Sequence, residues 1–257
     1  MVFSVDERER DRERLLERAQ ADPRVVAGAV VGAEAHGSAD RWSDVDLTFG
    51  LVDGASVHEV LAEWTEDLAA ELDAVDLFDV QVGSTVYRVF LLPGNLQVDL
   101  SLTPEAEFGA RGPHFRMLFG SAVQPPAGEA AAAPQPSTAR HLFGLGAHHA
   151  VRARFCIERS RPWQAEHWIS GTRDQALALA CHRRGLQSAY GRGFDQLPAE
   201  LLAKLELALV GSLGRGELLR ALGAAIEALL QEAEETRKLA DRLAPRLREL
   251  TAATFIA

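Results

Sequence analysis

Gly32-Ala33-Glu34-Ala35-His36-Gly37-Ser38-Ala39-Asp40-Arg41-Trp42-Ser43-Asp44-Val45-Asp46-Leu47 joins two apolar runs through a turn of small and polar residues. Upstream, Val25 to Val31 is rich in valine and ends at Gly32, the pattern of a buried strand. Downstream, Leu47 to Leu51 continues a strand that begins near Asp44. Asp44 and Asp46 are two residues apart, so strand alternation places both carboxylates on one face. Side by side they repel unless a cation sits between them. Mg²⁺ suits such a pair, because it is a hard ion that takes oxygen ligands and shares its shell with water and phosphate. A strand running into Gly32 and Ala33 also lets the backbone come close to a phosphate. Asp99, within Leu96-Gln97-Val98-Asp99-Leu100, supplies a third carboxylate on another candidate strand, among apolar neighbours.

Outward from this segment the patterning stays regular. Residues 5 to 20 alternate charges of both signs around Leu15 and Leu16, which predicts an exposed helix laced with ion pairs. Val57, Val60, Leu61, Trp64, Leu68 and Leu72 recur at helical spacing behind a capping Ser56. Leu77 to Val82 and Thr85 to Leu92 read as strands joined by a tight Gly83-Ser84 turn, and Leu96 to Leu102 as a half-buried strand. Proline and alanine dominate 125–137, which predicts a linker. Beyond it a helix is expected from Trp163 to Arg184, stopped by Gly185, and Leu/Ala-periodic helices over Leu197 to Val210 and Glu217 to Leu243. The sum is an α+β architecture: a mixed-sheet domain over 1–124, a linker, and a helical bundle over 138–257.

The hydrophobic fraction of 47% is enough to fill a substantial core. No apolar run approaches the roughly 20 residues that span a bilayer. The charged N-terminus argues against a secretory signal, so the cytoplasm is the expected compartment. Cys156 and Cys181 fall in helical sequence and read as small core residues. Lys plus Arg number 27 against 37 Asp plus Glu, a net charge of -10. Such a surface disfavours nucleic acid as a partner and draws in cationic small molecules.

In its order of parts the chain resembles the polymerase-beta-like nucleotidyltransferase superfamily: a glycine with a small residue, an interval, Asp-x-Asp, then a later aspartate. The run Gly37-Ser38-Ala39-Asp40-Arg41-Trp42-Ser43-Asp44-Val45-Asp46-Leu47 looks like the antibiotic nucleotidyltransferases of the aminoglycoside and lincosamide type. The resemblance covers about residues 25 to 102 and makes 1–124 a nucleotidyltransferase domain. It implies that Asp44 and Asp46 hold divalent metal, and that Asp99 is a third ligand or the base for the acceptor hydroxyl. Gly32 and Ala33 become the phosphate turn, and Ser43, on the approach to the aspartates, becomes a nucleotide contact. The implied reaction moves a nucleoside monophosphate, AMP from ATP, onto a small hydroxylated acceptor of aminoglycoside-like, cationic character. Two ions roughly 3.5–4 Å apart would stabilise the entering and leaving oxygens.

The chain departs from the family at the turn itself. Gly-Ser or Gly-Gly is usual there, whereas this chain has Gly32-Ala33, followed by Glu34 where a basic residue is common. Gly37-Ser38 stands too close to Asp44 to replace it. The absent hydroxyl is worth roughly 1.5–3 kcal/mol of hydrogen bonding to a charged group. A nucleotide-binding protein without catalysis is therefore an alternative, as is an enzyme of toxin–antitoxin type that AMPylates a protein hydroxyl.

Outside this core, Glu166, Ser170 and Arg173 share a helix face. They read as an internal Glu166–Arg173 ion pair, or as a wall where Glu166 or Asp174 meets a cationic acceptor. Arg192, on a glycine-flanked loop, is placed to reach a triphosphate. His36, His148 and His149 read as solvated surface histidines.

Overall fold

The computed structural model describes residues 2–112, 114–124 and 138–252. These fall into two compact units, divided between 124 and 138. The linker expected at 125–137 lies outside the described residues.

The first unit opens with α1 (Val5–Ala21), closed at its start by a capping box in which Ser4 Oγ accepts from the Glu7 N–H and the Glu7 carboxylate accepts from the Ser4 N–H. A six-stranded sheet follows, built from β1 (Val25–Val31), β2 (Val45–Leu51), β3 (Val75–Val82), β4 (Thr85–Leu91), β5 (Gln97–Pro104) and β6 (Phe115–Phe119). Its order is β3-β4-β5-β2-β1-β6, with β2 and β5 parallel and every other neighbouring pair antiparallel. One helical turn, α2 (Gly32–Ala35), follows β1, and α3 (Val57–Leu72) follows β2. Ser56 Oγ accepts from the Glu59 N–H at the start of α3. Gly83, at φ +60°, closes the β3–β4 hairpin.

Alternation divides the sheet into two unlike faces. Leu47, Phe49, Leu100 and Leu102 are buried on the face covered by α1 and α3, where Trp64 of α3 meets Phe49 edge-on. Arg18 ties α1 to α3 through Asp67 and lies over the Trp64 ring. Asp46, Thr48, Asp99, Ser101 and Thr103 point to the opposite face.

The edge strand β6 has no counterpart in the sequence reading. Its Phe-Arg-Met-Leu-Phe pattern is broken by a register shift against Gly28/Ala29, which blurs the two-residue period. The strand expected near Asp44 starts one residue later, at Val45, and leaves Asp44 at its mouth.

The second unit is helical: α4 (Ala139–Glu158), α5 (Pro162–Arg183), α6 (Ala199–Glu206), α7 (Arg215–Glu232) and α8 (Arg237–Glu249). Gly185, at φ +64°, follows the end of α5 as expected, and both cysteines are buried thiols. The long helix expected over Glu217 to Leu243 is two helices. The chain leaves α7 after Glu232, a buried carboxylate held by Arg183 at 3.3 Å and Arg184 at 3.2 Å. It resumes as α8, which buries Ala240, Leu243 and Leu247. The helix expected over Leu197 to Val210 is confined to α6, beginning after Pro198. Among the described residues no helix is long and apolar enough to cross a membrane.

Candidate metal centre

The parallel register of β2 and β5 sets Asp46 opposite Asp99. Asp44 stands two residues before Asp46, at the mouth of β2. One carboxylate oxygen from each of Asp44, Asp46 and Asp99 lies within 4.8 Å of the others. All three side chains are half-buried. Three hard oxygen donors converging at this spacing could hold a divalent cation such as Mg²⁺ or Mn²⁺.

The approach to Asp44 is shaped by a hydrogen-bonded turn. The Asp40 N–H donates to Ser43 Oγ at 2.9 Å, the Ser43 hydroxyl donates to Asp40 Oδ1, and the Trp42 N–H donates to the same oxygen at 2.9 Å. Ser43, expected as a nucleotide contact, thus turns its hydroxyl to Asp40 and is 4% exposed. Arg8 of α1 clamps this turn from beneath, donating to the carbonyls of Asp40 at 2.6 Å and Ser43 at 3.4 Å. A buried arginine amid a run of exposed charges carries no sequence signature, and the sequence reading missed it.

Gly32 follows β1 and opens α2 at φ +66°, and a β-carbon there would collide with Asp46 Oδ2. Only glycine combines that backbone with that approach. Ala33 offers no hydroxyl, but Ser38 folds back over it, its N–H and Oγ both donating to the Ala33 carbonyl at 3.0 and 3.3 Å. Glu34 does not face the site alone. Arg12 of α1 pairs with it at 2.7 Å and Arg116 of β6 at 3.6 Å. Arg12 also reaches Glu9 at 2.9 Å. The acidic residue in the turn therefore gathers two guanidiniums, which the sequence reading also missed because they come from elements 22 and 82 positions away.

His36 is exposed, stacked on His114 with ring centroids 4.0 Å apart, and shares hydrogen bonds with the Gly32 carbonyl and Ser38 Oγ.

The remaining candidates lie in the helical unit. Ser170 Oγ donates to Glu166 Oε1 at 2.8 Å, while Arg173 pairs with Asp174 at 3.1 Å. The expected Glu166–Arg173 pair is thus replaced by two local contacts, because each side chain meets a nearer partner. Arg192 lies over the Tyr190 ring at 5.4 Å. His148 and His149 are not solvated, contrary to the sequence reading. They are half-buried around Trp168, at 6.1 and 5.0 Å between centroids. Burial, with Arg152 and His149 adding, pushes the His148 imidazole down to about 3.

No protein-family model matches the chain, and no curated protein matches it in sequence. Among solved structures it is similar to an aminoglycoside 6-adenyltransferase from Bacillus subtilis, at 12% identity over 98% of this chain and 100% of that one, with a TM-score of 0.38.

Proposed function

We propose that the chain is a nucleotidyltransferase of the polymerase-beta-like superfamily, using Mg²⁺ and transferring a nucleoside monophosphate to a hydroxyl of a small acceptor. The observation that carries this reading is the convergence of Asp44, Asp46 and Asp99 within 4.8 Å, at the mouth of β2 and on the adjacent parallel strands β2 and β5. Asp44 and Asp46 would hold the metal, and Asp99 would ligate it or accept the proton of the attacking hydroxyl. When bound, the metal supplies positive charge to the phosphoryl oxygens. Gly32 and Ala33 bring bare backbone to the phosphates, and Arg12 and Arg116 offset the charge of Glu34 there. ATP is the expected donor, and the acidic surface favours a cationic, aminoglycoside-like acceptor. The 1–124 segment is proposed as the transferase domain and 138–257 as an accessory helical domain. In the accessory domain Glu166, Arg173 and Asp174 remain candidates for acceptor contacts and Arg192 for a phosphate contact.

A second reading rests on Ala33, which removes a phosphate-binding hydroxyl: nucleotide binding without transfer. Pyrophosphate release separates the two. Purified protein with Mg²⁺, each of the four nucleoside triphosphates and a panel of hydroxylated small molecules should release pyrophosphate only with the right acceptor. Asp44→Ala/Asp46→Ala should abolish it. Metal-dependent nucleotide binding without release across the panel favours the second reading.

A further inference from the structure

Past the carboxylates, the same face of the sheet changes from acidic to neutral hydroxyl, and Ser101 and Thr103 are buried there. Two residues along from Asp46 and Asp99, the same ladder pairs Thr48 with Ser101, and β4 sets Tyr87 opposite Ser101. That displacement is roughly 6.6 Å along each strand. Ser101 Oγ donates to Thr48 Oγ1 at 2.8 Å, and Thr85 and Thr103 share a hydrogen bond at 3.0 Å. Thr48, Tyr87, Ser101 and Thr103 line a cavity of about 200 Å³, whose other walls include the apolar Phe108 and Phe115 and the charged Arg111 and Glu107.

The opposite face of these strands carries Leu47, Phe49, Leu100 and Leu102 at the intervening positions. Hydroxyls sit where methyl groups would pack without the cost of burying polar atoms. A row of convergent donors and acceptors beginning one pair from the metal carboxylates is what a substrate subsite requires. The cavity holds roughly seven waters' volume and falls below the ~300–1,000 Å³ of drug-sized sites, so it admits one ring and not a multi-ring molecule. Its guanidinium, Arg111, is paired with Glu107 at 3.5 Å and donates to Thr85 Oγ1 at 3.3 Å, and His114 in the same lining is stacked on His36, so the lining favours a neutral ligand over a phosphate. A wider groove of about 920 Å³ beside Arg14, Arg18 and Arg24 lies at the C-terminal ends of α1 and α3, away from the carboxylates, and Arg18 and Arg24 are engaged by Asp67, Asp22 and Glu63.

We infer that this cavity is a subsite for one neutral, polyhydroxylated ring of a substrate, seated beside Asp99. Two sources supply that chemistry: the ribose of the nucleotide and a cyclitol or sugar ring of the acceptor. The inference rests on the nucleotidyltransferase reading. Its test compares three probes in Mn²⁺: ring-free tripolyphosphate and α,β-methylene-ATP by calorimetry, and myo-inositol by ligand-observed NMR with tripolyphosphate present. The variants are Thr48→Val/Ser101→Ala, which removes both partners of a hydrogen bond together, and Tyr87→Phe, which removes one hydroxyl from a half-buried ring. Tripolyphosphate affinity should stay within twofold in both. A loss of about tenfold for α,β-methylene-ATP supports the inference with ribose as occupant, and loss of the myo-inositol signal alone supports it with the acceptor. Unchanged binding of both ring-bearing probes overturns it. Failure of the unmutated protein to bind tripolyphosphate with Mn²⁺ overturns the underlying reading, and is seen before any variant is compared.

Discussion

Gly32 and Asp46 stand so close that a β-carbon on the glycine would collide with the aspartate's Oδ2, at a backbone φ of +66°. The end of β1 and the start of β2 thus define one object, in which the proposed phosphate turn and the candidate metal carboxylates share a wall. Gly32→Ala meets both the collision and a left-handed backbone. The expected result is a loss of about 1–3 kcal/mol of stability and at least tenfold weaker Mn²⁺ binding. Urea unfolding and a Mn²⁺ titration read the two separately, and unchanged metal affinity would show that the close approach has no bearing on the centre.

Arg116 pairs with Glu34 from a half-exposed position. Exposed pairs contribute about 0–1 kcal/mol to stability, so Arg116→Ala should leave the melting temperature nearly unchanged. Removing a cation beside the proposed phosphate turn should weaken Mn²⁺-tripolyphosphate binding several-fold at low salt, and less as salt screens the charge. Equal affinities at low salt would remove Arg116 from the phosphate site.

His148 is held neutral by burial, its pKa lowered from 6.5 to about 3. Between those values the unfolded chain binds a proton that the folded chain refuses. This contribution to stability is therefore intact above about pH 6.5 and falls on acidification, by at most about 1.4 kcal/mol per pH unit. Melting curves from pH 7.5 to 5 should show a steeper loss for the natural chain than for His148→Gln. Parallel curves would mean that His148 becomes protonated without unfolding.

Arg154 is fully buried, donates to the carbonyls of Leu250 at 2.6 Å and Ala252 at 2.8 Å, and lies 2.7 Å from Glu158. It closes the carbonyl end of α8, where the sequence gives no glycine cap. Arg154→Met should cost about 3–5 kcal/mol in urea unfolding and leave Mn²⁺ affinity of the folded protein unchanged. A loss below 1 kcal/mol would mean that the helix end is satisfied by other groups.

Much of this architecture is written locally. The two-residue period of Val98, Leu100 and Leu102 marks β5, and the helical spacing from Val57 to Leu72 marks α3. The same alternation that puts Asp44 and Asp46 on one face also extends to Thr48 and, on β5, from Asp99 to Ser101, so the hydroxyl strip had a signal that went unused. What local pattern does not carry is pairing across the chain. Nothing near Asp46 states that Asp99 lies opposite it. Glu34 reads as a misplaced charge until Arg12 and Arg116 arrive from distant elements. The break between α7 and α8 is equally silent, because Ala233-Glu234-Glu235-Thr236 holds neither glycine nor proline and the Leu/Ala period resumes beyond it.

The most direct test of the metal centre is a Mn²⁺ titration followed by electron paramagnetic resonance, with and without α,β-methylene-ATP, in the natural chain and in Asp44→Asn/Asp46→Asn. The proposed function requires Mn²⁺ uptake that tightens when the nucleotide analogue is present and is lost in the double variant. Uptake that is indifferent to the nucleotide, or that survives removal of both carboxylates, would contradict it.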